Sequence, residues 1–176
     1  MNKRALIVTI FLHALLIVVV YMFQGVILPF MRFNGLVPLL LPVASTGIAL
    51  YEGRYAGGVA GLFAGILCDI SFNHPVGVFT VWLTISGLTV GALADAVVLR
   101  GFVTYYISCA AVLIVSAIVQ MFPLIVSPAS NIPIQSLIAI AIQQTIYSLV
   151  FALPIWFFVQ VLGKRVERVL PSGRTF

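Results

Sequence analysis

Only six charged residues, Arg32, Glu52, Arg54, Asp69, Asp95 and Arg100, fall between Ala5 and Leu162. The rest of that stretch is a series of apolar runs broken by short clusters of turn formers. Soluble domains carry about 25% charged residues to cover their surface. This chain has 7% charged and 62% hydrophobic residues. In lipid, backbone polar groups must be satisfied within each helix or around a closed barrel. The runs are continuous and not alternating, so they predict helices rather than barrel strands. The expected fold class is all-α, a polytopic integral membrane protein with no separate soluble domain.

Six transmembrane helices are expected, at about 5–23, 36–50, 55–70, 76–99, 102–126 and 136–162 of a single membrane domain, with a basic cytoplasmic tail over 163–176. The first run is long and has no small-residue cleavage site after it, so it reads as an uncleaved helix. Pro38 suits a helix start. Pro42 predicts a kink or a delayed start, and Pro154 a kink in the last span. With both ends on one side, eight basic residues gather there: Lys3, Arg4, Arg54, Arg100, Lys164, Arg165, Arg168 and Arg174. Arg32 alone falls opposite. That asymmetry predicts an N-in/C-in orientation. Glu52 and Asp95 then lie at the inner surface, and Asp69 and His74 near the outer one.

The third span carries the most specific pattern. Gly57, Gly61 and Gly65 recur every fourth residue, and the next step lands on Asp69. Residues four apart share a helix face. Ala56, Ala60, Ala64 and Cys68 form a second small-residue stripe beside the first. Small faces let helices approach closely in lipid. At ~1.5 Å per residue this span reaches ~24 Å, short of a ~30 Å hydrocarbon core. A second ladder, Gly87, Gly91 and Asp95, runs the other way on the fourth span, and tight packing of the two spans would account for it.

Residues that carry chemistry are few. Cys68 and Cys109 sit in apolar runs and read as small core residues. No metal spacing, phosphate loop or nucleophile motif is present, so neither enzyme nor cofactor is expected, and nucleic acid is not an expected partner. Asp69 leaves two readings open: a cap on backbone N–H groups of the turn before Pro75, or a polar contact to a partner helix or substrate. Glu52, Gly53 and Arg54 form a cytoplasmic turn. With Asp95 and Arg100 the two charged residues of that turn suggest a small ionic cluster. His13 reads as a neutral imidazole bonded to another helix, with no acid evident at its depth. Gln143, Gln144, Tyr147 and Ser148 make one side of the last span polar, either as interhelical glue or as a cavity lining. Trp82, Trp156, Phe157 and Phe158 suit interfacial belts or a lipid-facing surface.

The run from Glu52 to Gly77, E-G-R-x-A-G-x-x-x-G-x-x-x-G-x-x-x-D followed by a short turn and P-x-G, resembles the bacterial rod shape-determining MreD family. Length, six spans, orientation and basic tail fit the same family. On that resemblance Gly57, Gly61, Gly65, Asp69, Pro75 and Gly77 match the family motif, and Glu52, Gly53 and Arg54 its cytoplasmic turn. It implies a non-enzymatic component of the cell-elongation machinery in the bacterial inner membrane. The implied partner is an MreC-like single-span protein, linking MreB-like filaments to a RodA-like synthase and a class B penicillin-binding protein. Membrane lipids are further partners, and small-residue faces are compatible with a homodimer. The family fold is similar to the substrate-binding subunits of energy-coupling-factor vitamin transporters, which makes such a subunit the alternative expectation.

Overall fold

The computed structural model describes residues 3–27, 37–72, 77–97, 101–126 and 134–169, and all of these elements are helical. Helix α1 covers Lys3–Met22 and passes into a π-helical segment, Phe23–Ile27. Then come α2 (Leu40–Glu52), α3 (Arg54–Phe72), α4 (Val78–Val97), α5 (Phe102–Val126) and α6 (Ile134–Val169). Among the described residues, three segments are long and apolar enough to cross a membrane: Val78–Ala96, Phe102–Met121 and Gln135–Val161.

Helix α2 is the axis of the bundle. Every residue from Leu40 to Leu50 is buried, and the other five helices all pack against it. Its 13 residues span only ~20 Å. A helix buried all round needs apolar residues on every face, and this stretch supplies them except at Ser45 and Thr46. Both hydroxyls donate back to the Pro42 carbonyl, at 3.0 and 2.7 Å, so no polar group is left facing the core. Helix α2 starts at Leu40 and not at 36, residues 37–39 being non-helical, so the delayed start is the outcome observed at Pro42. Pro42 occupies the third helical position, where a backbone N–H has no partner within the helix.

At α6 the helix contains Pro154 and runs on to Val169, so the first part of the expected tail extends the helix. Between Leu162 and Val169 no residue breaks a helix more strongly than Gly163; the next proline is Pro171. Trp156 is not at a lipid-facing surface. It is buried, stacked on Tyr105 at 4.5 Å between ring centroids and 5.1 Å from Tyr51. Gly47 leaves room for this cluster: a methyl there would meet Val159 at 3.2 Å and Tyr105 at 3.3 Å. Trp82 is half-buried and donates to Ser116 Oγ at 3.0 Å, whereas Phe157 and Phe158 are exposed.

Candidate functional site

The two glycine ladders face each other. Helices α3 and α4 are antiparallel and form the most extensive helix pair of the bundle. A methyl added at Gly57 would lie 2.6 Å from the Gly87 carbonyl oxygen and 2.5 Å from Ala49 Cβ. At Gly61 it would run into the Leu83 carbonyl, and at Gly87 into that of Gly57. At Gly65 it would approach the Phe79 oxygen to 2.8 Å, and at Gly91 the Arg54 Cα to 2.6 Å. Real Cβ atoms do not come so close, so at each rung backbone lies directly on backbone. The bulky side chains Val59, Leu62, Phe63 and Ile66 of α3 lie on its other faces and are exposed.

Asp69 ends the α3 ladder and is buried, with 5% of its surface exposed. Its carboxylate receives the N–H groups that open α4. Oδ2 accepts from Gly77 N at 2.9 Å, Thr80 N at 3.1 Å and Thr80 Oγ1 at 2.6 Å, and Oδ1 accepts from Phe79 N at 3.0 Å. The first N–H groups of a helix have no partner within it, and a carboxylate also complements the positive end of the helix dipole. Gly77, with φ +105°, lets the chain turn into this cap. Of the two readings open for Asp69, the backbone cap is the one observed, and its target is the start of α4.

Asp95 ends the α4 ladder and does the converse. Its Oδ2 accepts from Arg54 N, the first residue of α3, at 3.1 Å. Gly53 has φ +89°, and a methyl there would fall 2.8 Å from Asp95 Oδ1. The two halves correspond residue for residue at an offset of twenty-six: Asp69 to Asp95, Gly65 to Gly91, Gly61 to Gly87. Gly65 abuts Phe79 and Thr80 as Gly91 abuts Gly53 and Arg54. The hairpin is thus an approximate two-fold pair in which each helix carries the cap of the other. Asp95 is exposed whereas Asp69 is buried, so the two caps differ in strength.

Of the expected ionic cluster, Arg100 lies outside the described residues, and Asp95 meets Arg54 through the backbone N–H. Arg54 directs its guanidinium to its neighbour Tyr55, with Nη2 donating to the hydroxyl at 2.9 Å and Cζ 4.9 Å from the ring centre. Glu52 Oε1 lies 3.9 Å from His13 Nε2, so His13 does have an acid at its depth. The two are 39 residues apart in sequence and meet because α1 and α2 run antiparallel. Pro75 also lies outside the described residues. Among the described residues there is no cluster of three or more His, Cys, Asp or Glu side chains. A shallow groove of about 370 Å³ lies over the Asp95 cap, lined by Arg54, Tyr55, Ala92, Asp95 and Ala96.

A second capping site was not foreseen. The buried start of α2 receives Leu39 N on Ser148 Oγ at 2.8 Å, and Leu40 N and Leu41 N on Gln24 Oε1 at 2.9 and 3.2 Å. Pro42, next in line, has no N–H to satisfy. Gln144 Nε2 donates to the Val37 carbonyl at 3.0 Å, and Ser148 Oγ to that of Gln144 at 2.7 Å. The polar side of α6 is therefore interhelical glue at Gln144 and Ser148. On α1 and the π-helical segment the buried residues between Phe11 and Val26 are His13, Ile17, Val20 and Gln24. Their spacing of four, three and four residues is one helix face, and that periodicity is the signal that marks Gln24 as a buried residue.

Compared with known proteins, the chain matches no family model, no curated protein and no solved structure. What the geometry offers is mechanical. Two helices are locked by backbone contact and by two aspartates engaged with N–H groups, and a third is capped at its buried end from two others.

Proposed function

We propose that the chain is a non-enzymatic, MreD-like component of the bacterial cell-elongation machinery. In this reading all six helices lie in the inner membrane with both termini in the cytoplasm. The protein binds an MreC-like single-span partner and helps couple MreB-like filaments to a RodA-like synthase and a class B penicillin-binding protein. The observation that supports the reading is the use made of the shared motif. Gly53 allows the turn, Arg54 N meets Asp95, the three glycines meet α4, and Asp69 caps α4. A motif with a structural duty at so many positions makes a rigid unit, as a scaffold requires.

The ladder is consumed inside the chain, so a partner must dock elsewhere on the bundle. Basic groups at the Arg54 end, together with Arg100 and the Lys164 to Arg168 segment, suit anionic lipid headgroups. The test is an affinity purification of the tagged full chain in mild detergent, with mass spectrometry of proteins and small molecules. Recovery of an MreC-like single-span protein without a stoichiometric vitamin is the expected result. Recovery of a bound vitamin, or of ATPase subunits, would replace the scaffold with a transport subunit.

A further inference from the structure

One polar side chain faces away from the bundle in the middle of an apolar surface. Gln143 on α6 is exposed, beside the exposed Ala139, Ile142, Ile146 and Val150 on the same helix face. No group among the described residues hydrogen-bonds its amide. Its neighbour Gln144 is buried and bonded to Val37, so the two consecutive glutamines have opposite circumstances. Gln143 lies eight residues from the nearer end of the apolar segment Gln135–Val161. The segment's 27 residues reach ~40 Å, about 5 Å beyond a ~30 Å hydrocarbon core at each end, so the Gln143 Cα lies about 7 Å inside that core when the segment is centred. In a bilayer an amide there is costly unless it finds a partner.

We propose that this face of α6 joins a second copy of the same chain, with the two Gln143 amides bonded to each other across a two-fold axis along the membrane normal. Two copies inserted with one topology carry parallel α6 helices, so each residue meets its own counterpart at the same depth. An amide has both a donor and an acceptor, which makes Gln143 complementary to itself as a charged residue would not be. Ala139, one turn away, removes bulk and lets the helices close on the pair. Ile142, Ile146 and Val150 pack around it. Self-complementarity of this kind is what an isologous two-fold contact needs. The inference requires α6 to lie in lipid but not the identity of any elongation partner, so its failure leaves the proposed function standing.

The test uses the full chain in lipid vesicles, with association read by energy transfer between labelled copies over a range of protein-to-lipid ratios. Gln143→Leu is expected to weaken association at least tenfold, and Gln143→Asn to retain most of it. In a second measurement that keeps Gln143, Ala139→Cys is expected to form a disulfide-linked dimer faster than Val103→Cys on the exposed face of α5. Unchanged association of Gln143→Leu would overturn the proposal, as would equal rates for the two cysteine variants. Crosslinking of Ala139→Cys in cell membranes to a different protein, and not to itself, would overturn it in favour of a hetero-partner.

Discussion

Asp69 and Asp95 stand at the two ends of one helical hairpin, and each accepts from the backbone N–H groups that begin the other's helix. Neither helix supplies its own N-terminal cap. The start of each is completed only when the pair is assembled, which couples helix formation to helix packing. The glycine rungs between the two caps bring the backbones close enough for side chains as short as aspartate to reach.

The two caps predict unequal losses. Asp69 is buried and receives four donors, so Asp69→Ala leaves several buried groups unsatisfied and should cost about 2–4 kcal/mol. Asp95 is exposed, and Asp95→Ala should cost about 0.5–1 kcal/mol, as for an ordinary solvated cap. Denaturant titration of the purified protein in detergent measures both. Equal losses would contradict the ordering.

Glycine replacements should divide by what the new methyl meets. At Gly61 it meets the Leu83 backbone, which cannot move alone. Gly61→Ala should destabilise by about 1–3 kcal/mol. At Gly58 it meets the end of the Leu88 side chain, which can rotate away. Gly58→Ala should be near neutral, because alanine gains up to about 1 kcal/mol in helix propensity. The same titration separates them.

Gly53 and Gly77 both have positive φ, but only Gly53 is also crowded by Asp95. Gly77→Ala should show the backbone penalty alone, about 1–2 kcal/mol. Gly53→Ala should cost more, and adding Asp95→Ala to it should cost less than the sum of the two single changes. A strictly additive double mutant would show that the carboxylate does not crowd position 53.

At the other capping site, Gln24→Leu strands two buried N–H groups and Ser148→Ala one. At about 1–3 kcal/mol for each stranded group, the glutamine change should be the larger. Amide exchange at Leu40 and Leu41 should accelerate in Gln24→Leu, and exchange at Leu39 in Ser148→Ala.

Most helices were legible because lipid-soluble runs, punctuated by charge and turn formers, define their own limits. Helices α3, α4 and α5 fall within two residues of their expected bounds. The ladder was legible as a packing face, because a four-residue repeat of glycine has few other meanings. What sequence could not give was which residues meet across the bundle. Glu52 and His13 are brought together by the antiparallel course of α1 and α2. Gln24 falls just past the expected end of the first span at residue 23, and the π-helical segment that carries it extends that helix. Trp156 is buried and not interfacial because an indole that suits an interface also suits a core, and here Tyr105 and Tyr51 pack against it.

Asp69 closes the start of α4, and amide hydrogen exchange in lipid nanodiscs reads that closure directly. In the wild-type chain Gly77, Phe79 and Thr80 should exchange slowly for residues at a helix start. In Asp69→Ala all three should exchange at least about tenfold faster, the factor that corresponds to 1.4 kcal/mol, while amides in the middle of α5 stay unchanged. Unaltered protection at Phe79 and Thr80 in that variant would contradict the account, because the N–H groups would then have another partner and the hairpin another lock.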